Sequence, residues 1–265
     1  MTRPIAFLTD YGLADGFVGV CRGVIYTIAP DSVVIDLTHQ VPRQNVLQGA
    51  VILSRAVAFM PTDAVYLAVV DPGVGSERRS VALEASSGAL LVGPDNGVLS
   101  MAWEQLGGVR RAFAIEADDV VLHPVSKTFH GRDVFAPAAA HLAAGMPIER
   151  LGPELAGDEL ISTGLPGAMV VSGVVGARVV GVDGFGNVQL NITPADLEAA
   201  GLRETVAIGP REVPRAATFT DVPEGSLALI ADSQGFVALV VNRGSAAQAL
   251  GLAPGATVTL GRPSA

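Results

Sequence analysis

The sequence predicts an α/β protein in two parts: an N-terminal α/β domain built on a mostly parallel sheet, and a smaller C-terminal antiparallel β domain of barrel-like character. Three observations carry this. Strand and helix patterns alternate through the first half, as doubly wound domains require. The stretch from Gly152 to Gly167 then breaks both periods with prolines, glycines and acidic residues, the composition of a linker. From Met169 onward, short Val-rich runs are separated by Gly, Pro and Asn, as in small β domains. The expected boundaries are 1–152 for the α/β domain, 153–167 for the linker and 168–265 for the β domain.

In order, Ile5 to Thr9 reads as a strand, Gly16 to Ala29 as a helix, Val33 to Leu37 as a strand and Arg43 to Phe59 as a helix. Val65 to Val70, six apolar and largely β-branched or aromatic residues, reads as an interior strand. Ser80 to Ala85 and Ala89 to Val92 flank Ser86-Ser87-Gly88 as a hairpin. Val98 to Leu106 and the alanine-rich Asp133 to Ala144 read as helices. In the second half, Pro194 to Ala200 is a brief helix and Val237 to Val241 a strand. No internal repeat is convincing.

Length and composition bound the function. The 265 residues suffice for one large domain or two modest ones. Hydrophobic residues make up 49% of the chain and aromatics only 5%, which suits a packed α/β enzyme better than an aromatic nucleic-acid platform. A net charge of -9 opposes binding to a phosphate backbone. A single cysteine, Cys21, precludes an internal disulfide and suits a reducing, cytoplasmic compartment. No zinc-ligand spacing is present, so no metal is expected. The opening Met1-Thr2-Arg3-Pro4 leads into an apolar run shorter than that of a signal peptide, and no apolar run reaches membrane-span length.

Polar islands follow the expected strands. After Val65 to Val70 comes Asp71-Pro72-Gly73-Val74-Gly75-Ser76-Glu77-Arg78-Arg79, which reads either as a plain turn or as a ligand loop at a strand's carboxyl end. Thr9-Asp10-Tyr11-Gly12 and Asp15 follow the first strand. Asp10 suits the two hydroxyls of a ribose and Asp15 a cationic amine, with helix capping as the alternative for either. Thr128-Phe129-His130-Gly131-Arg132-Asp133 opens a helix, with Asp133 read as its cap and His130 as a functional candidate. Asp183-Gly184-Phe185-Gly186-Asn187 reads as a tight turn or as a base contact, Phe185 stacking and Asn187 pairing with the base edge. Ser233-Gln234-Gly235-Phe236 and Asn242-Arg243-Gly244 flank the Val237 strand. GxGxxG, GxxxxGK[ST] and GxSxG are absent, which removes support for ordinary dinucleotide, P-loop and serine-hydrolase readings.

Taken with Asp36-Leu37-Thr38-His39 and Gly93-Pro94-Asp95-Asn96-Gly97, these motifs resemble the S-adenosyl-L-methionine hydroxide adenosyltransferases, relatives of the fluorinases and chlorinases. The resemblance runs from about residue 4 to residue 260. It implies an α/β domain joined to a β-rich domain, trimers with the substrate between neighbouring subunits, and hydrolysis of S-adenosyl-L-methionine to adenosine and L-methionine with no separate cofactor. Matching positions make Asp71, Arg78 and His130 the catalytic set. They make Asp10 the ribose ligand, Asp15 and Asp183 candidates for the methionine moiety, Phe185, Asn187, Phe219 and the backbone at Arg243 the adenine contacts, and Ser233 the carboxylate ligand. Gln234 stands where the halogenases carry arginine. Those enzymes also have tyrosine at the Asp71 position, threonine at Val74, tyrosine and serine at His130 and Gly131, and an extra loop. The differences point to water over halide as nucleophile. Halide-dependent adenosyl transfer and a non-catalytic S-adenosyl-L-methionine or adenosine sensor are the alternatives. A metal hydrolase built on Asp10, Asp15 and the histidines is disfavoured by their spacing.

Overall fold

Uninterrupted apolar pentads become the fully buried strands of the protein, and their alternation decides which helices cover them. The computed structural model describes residues 2–165 and 167–263. Pro166, inside the expected linker, and residues 1, 264 and 265 lie outside that range. Two units divide the chain, Met1–Gly164 and Leu165–Ala265.

The first unit contains, in order, β1 (Ile5–Thr9), α1 (Phe17–Ile28), β2 (Val34–Thr38), α2 (Val46–Val57), β3 (Val65–Val69), β4 (Ser80–Ala85), β5 (Leu90–Pro94), α3 (Ser100–Gln105) and β6 (Val109–Ala114). A π-helical turn over Gly131–Phe135 then leads directly into α4 (Ala136–Ala143), and β7 (Glu154–Leu155) closes the sheet. The strand order is β2-β1-β3-β5-β4-β6-β7. Strands β2, β1, β3 and β5 pair in parallel, whereas β4, β6 and β7 extend the sheet antiparallel.

Successive strand residues face opposite sides, so two cores form. Ile5, Phe7, Val65, Leu67 and Val69 pack with Cys21 and Ile25 of α1 and the alanines of α4. Ala6, Leu8, Tyr66 and Ala68 pack with Leu53 of α2 and Ala102 and Trp103 of α3. Burying one such large apolar side chain contributes about 1.5–3 kcal/mol, which holds the strand ends rigid beneath the polar loops.

Two boundaries differ from expectation for local reasons. Helix α2 begins at Val46, not Arg43, because Asn45 caps it, its side chain accepting from the Gln48 N–H at 3.0 Å. Asp133 lies inside the π-helical turn and caps no helix. Its carboxylate accepts from Arg132 Nε at 2.5 Å and the Ser126 N–H at 2.9 Å. The expected linker also holds structure: β7 pairs with β6, and Arg79 joins Asp95 and Glu159.

The second unit contains β8 (Met169–Val171), β9 (Val174–Val182), β10 (Val188–Leu190), α5 (Pro194–Ala199), β11 (Thr205–Ile208), β12 (Arg211–Pro214), β13 (Leu227–Ala231), β14 (Val237–Val241), α6 (Ala246–Leu250) and β15 (Thr257–Gly261). Its named strand pairs are all antiparallel, in the order β12-β11-β15-β9-β10-β14-β13, with β8 beside β9. A bridge between Arg215 and Leu229 links the region after β12 to β13, so the sheet curls nearly into a barrel around Val179, Leu190, Val206, Leu239 and Leu260.

Candidate active site

Three neighbouring parallel strands, β1, β3 and β5, are each followed within two residues by an aspartate: Asp10, Asp71 and Asp95. This carboxyl edge is where open α/β sheets bind ligands. The three carboxylates have different partners. Asp95, 4% exposed, accepts from Arg79 Nε at 2.8 Å and from the Ile161 N–H at 2.8 Å, which fixes the end of the unit. Its neighbour Asn96 donates to the carbonyl of Val70 at 2.8 Å and steadies the backbone just before Asp71.

Asp71, Arg78 and His130 come together. Arg78 Nε donates to both Asp71 oxygens, at 3.0 and 3.1 Å, and Nη2 donates to Oδ2 at 2.5 Å. Nη1 donates to Ser80 Oγ at 2.8 Å, and the guanidinium lies 5.1 Å from the centre of the Phe135 ring. Nη2 also stands 2.8 Å from His130 Nδ1. A guanidinium only donates, so Nδ1 accepts and the ring's own proton sits on Nε2. Burial, reinforced by the Arg78 charge, holds the His130 pKa below its ordinary value, so the neutral imidazole dominates at neutral pH.

Local packing delivers His130 to this place. Gly75 approaches the 125–130 loop so closely that a Cβ there would stand 2.4 Å from the Lys127 carbonyl oxygen. Gly131 is equally confined, a Cβ at that position falling 1.9 Å from the Tyr11 hydroxyl. Tyr11, Phe17 and Phe129 meet edge to face, with ring centres 5.2 to 6.1 Å apart. Burial, then the fields of Cys21, Asp10 and Asp71, raise the Tyr11 pKa, and the phenol stays protonated. Asp10 accepts the Gln44 N–H at 2.8 Å, and Gln44 adopts φ 63° to present it. Asp15 is exposed just before α1, and no side chain caps that helix.

The second unit holds a separate cavity of about 460 Å³ lined by Phe185, Asn187, Phe219, Val241, Arg243 and Gly244. Asp183 shapes it from behind. Its Oδ1 accepts the N–H groups of Phe185 and Asn187, both at 2.9 Å, and Oδ2 accepts from Asn187 Nδ2 at 2.8 Å. Because a carboxylate only accepts, the Asn187 amide is fixed with Nδ2 toward Asp183. Phe185 is 84% exposed. Arg243, one of the lining residues, sits at φ 55° with its guanidinium turned to Glu224, 3.2 Å away. Phe219 is carried on a short 3-10 turn tied by Asp221.

Ser233 is placed differently. It lies in the turn from Asp232 to Phe236, which repeats the Asp183 turn: the Asp232 carboxylate accepts from the N–H groups two and four residues on, at 2.9 and 3.0 Å. This second turn joins β13 to β14 and does not line the cavity. The sequence reading missed Tyr11, Gln44, Ser80 and Phe135. Tyr11 lay inside a motif read for its carboxylates, and Ser80 opened a strand two residues after Arg78.

A conserved protein from Thermotoga maritima superposes with a TM-score of 0.89 at 37% identity, over 97% of this chain and 100% of its own. The chain belongs to the SAM hydroxide adenosyltransferase family: the family's N-terminal domain matches residues 5–152 and its C-terminal domain residues 177–259. Two similar proteins are named (R)-S-adenosyl-L-methionine hydrolase. The one from Salinispora arenicola is 47% identical over 96% of each chain, and the one from Thermus thermophilus is 44% identical over 97% of this chain and 99% of its own. A fluorinase from Nocardia brasiliensis is 31% identical over 97% of this chain and 96% of its own. Among the described residues no helix is long and apolar enough to cross a membrane, and no group of three His, Cys, Asp or Glu is placed to hold a metal ion.

Proposed function

We propose that the protein hydrolyses S-adenosyl-L-methionine to adenosine and L-methionine. The Asp71–Arg78–His130 cluster at the carboxyl edge of the parallel strands carries this reading, together with the family to which the chain belongs. A water oxygen bonds to C5′, the C5′–S bond breaks with its electron pair going to sulfur, and the thioether of methionine departs neutral. One proton of the water is released. The departing sulfur needs no acid and the reaction no cofactor, so the difficulty lies in placing the oxygen and favouring its hydroxide-like form.

The hydrogen-bond directions divide the work. Arg78 supplies positive charge beside the oxygen. His130 presents Nε2–H as a donor, since Nδ1 is committed to Arg78. Asp71, acceptor-only and clamped at both oxygens, takes the hydrogen bond from the water's outgoing proton. Asp10 and Asp15 serve the ribose and the methionine amine, and Ser233 the methionine carboxylate. Phe185 and Phe219 flank adenine, whose edge meets Asn187 and the backbone at Arg243. Asp183 acts by orienting the Asn187 amide. The exposed face of Phe185 supports the further reading that copies of the chain assemble as a trimer with the site at subunit interfaces, which light scattering on the purified protein tests.

The hydrolase relatives are named for the R compound, and the same preference is proposed here. The direct assay is adenosine release from each sulfonium epimer, with chloride and fluoride present and absent. Halide-independent adenosine from the R epimer is expected. A 5′-halo nucleoside would make the protein a halogenase, and binding without turnover would make it a sensor.

A further inference from the structure

The Asp36 to His39 stretch has no part in the chemistry above, yet it holds a chain of polar groups that runs from buried Thr9 and His39 out to Asp36 and Arg22 at the surface. His39 is 3% exposed and Thr9 is fully buried. Thr9 Oγ1 lies 2.9 Å from His39 Nδ1. On the other side of the ring, Nε2 stands 3.1 Å from Asp36 Oδ1, and Arg22 pairs with Asp36 Oδ2. The Phe7 ring meets the imidazole edge-on at 4.8 Å.

Hydroxyl, imidazole and carboxylate in series are the groups of a hydrolytic triad, but their arrangement excludes a second catalytic centre. Thr9 is sealed from solvent, and its oxygen accepts the Tyr11 N–H at 3.2 Å. The Asp36 carboxylate beside Nε2 favours a hydrogen on that nitrogen, because a lone pair there would face negative charge. Nδ1 is then left to accept the Thr9 hydroxyl proton. The hydrogen bonds run one way, from Tyr11 N–H to Thr9 and from Thr9 O–H to His39, while Asp36 faces Nε2 as a charge and makes no hydrogen bond to it. The His39 carbonyl also accepts the Gly12 N–H at 2.7 Å. Tyr11 is therefore tied to the imidazole through Thr9, and Gly12 to the backbone of the same histidine, while Asp10 itself is held by Gln44.

We propose that His39 is a positioning residue for nucleoside recognition: its ring, through Thr9, fixes the backbone at Tyr11, beside the Gly12 N–H that its carbonyl already holds, and thereby aims the Asp10 carboxylate at the ribose hydroxyls. This rests on the ribose role given to Asp10 above. Buried neighbours make a hydrogen-bonded imidazole hard to replace, and the conservative variants differ in what they keep. His39→Asn retains an acceptor near the Nδ1 position, whereas His39→Gln retains only a group near Nε2. Thr9→Val removes the hydroxyl without changing volume much.

The test is calorimetric binding of adenosine and of 2′,3′-dideoxyadenosine to the full chain, with melting temperatures measured alongside. His39→Gln and Thr9→Val are expected to weaken adenosine about five- to tenfold while leaving the dideoxy compound within about twofold, and His39→Asn is expected to recover most of the loss. Equal losses for both nucleosides, or equal behaviour of Asn and Gln, would overturn the proposal. A lowered melting temperature with unchanged adenosine affinity would do the same. Wild-type protein that binds adenosine but leaves S-adenosyl-L-methionine intact would sink the hydrolase reading alone, and the comparison of nucleosides would still decide the role of His39. Failure of the wild type to bind either nucleoside overturns both.

Discussion

Arg78 and Phe185 stand at opposite extremes of exposure, and the two halves of the proposed site differ accordingly. The Arg78 side chain is 9% exposed, with each guanidinium nitrogen engaged by Asp71, Ser80 or His130. Phe185 is 84% exposed on a turn whose backbone is nevertheless tied down by Asp183. The first unit thus stabilises its polar groups against one another during folding, before any substrate arrives. The second fixes only its backbone and one amide, and leaves an apolar face bare. Charge that acts on a developing bond must be oriented beforehand to be effective, whereas stacking gains its free energy when the aromatic face is covered. Substitutions at the clamped charges should therefore strike rate, and those at the bare ring should strike binding.

The largest effect is expected from Arg78→Met. It removes the charge at the nucleophile and strands Asp71 in a buried place, and adenosine release should fall about 10³-fold in kcat. His130→Ala should cost about 10²-fold or more, again in kcat, with KM little changed. An enzyme of normal turnover without His130 would remove that residue from the mechanism. Phe185→Ala tests the other half. Because the ring is bare, the melting temperature should hold while KM rises about tenfold and kcat stays level. A fall in stability would show that the ring is already covered in the free protein.

A smaller effect concerns pH. Protonation would place a hydrogen on His130 Nδ1 facing Arg78 Nη2, two donors opposed, so the protonated form loses that bond. With the pKa held below 6.5 by burial and by Arg78, kcat/KM should be flat at neutral pH and fall only on acidification below that value. An NMR titration should show the His130 pKa moving upward in Arg78→Met. The linked stability has a definite sign. The unfolded chain takes up a proton before folded His130 does, and burial lowers His141 in the same way. Stability should therefore decline as pH falls from about 6.5 toward the lowered folded values. The least effect on rate is expected from Asp95→Asn, which weakens the grip on Arg79 and Ile161. It should lower unfolding free energy by about 1–3 kcal/mol with kinetics within about twofold.

Adjacent Arg78 and Arg79 show how far the residues alone could be read. Both follow the same glycine loop, yet one meets Asp71 and the other Asp95, and only the path of the backbone decides which. Strands β1 and β14 and the β4–β5 hairpin were legible because apolar runs and glycine punctuation are local signals. Strand β6 went unread, since Arg110 and Arg111 break its apolar pattern and pair with Glu84 on neighbouring β4. Asp133 looked like a cap because an acid before an alanine-rich helix usually is one. The preceding π-helical turn, tied to Phe129 and Ser126, moved it inside. Tyr11 meets Gly131 across 120 positions, a proximity no local spacing encodes. The proposed catalytic set was visible as motifs, but not the hydrogen bonds that commit His130 Nδ1 to Arg78 and clamp Asp71 at both oxygens.

The central claim is that water oxygen becomes the 5′-oxygen of adenosine. Incubating the protein with S-adenosyl-L-methionine in ¹⁸O-water and weighing the adenosine by mass spectrometry reads it directly. One ¹⁸O at the 5′ position, unaffected by chloride or fluoride, is the predicted result, and unlabelled adenosine or a 5′-halo nucleoside would contradict it.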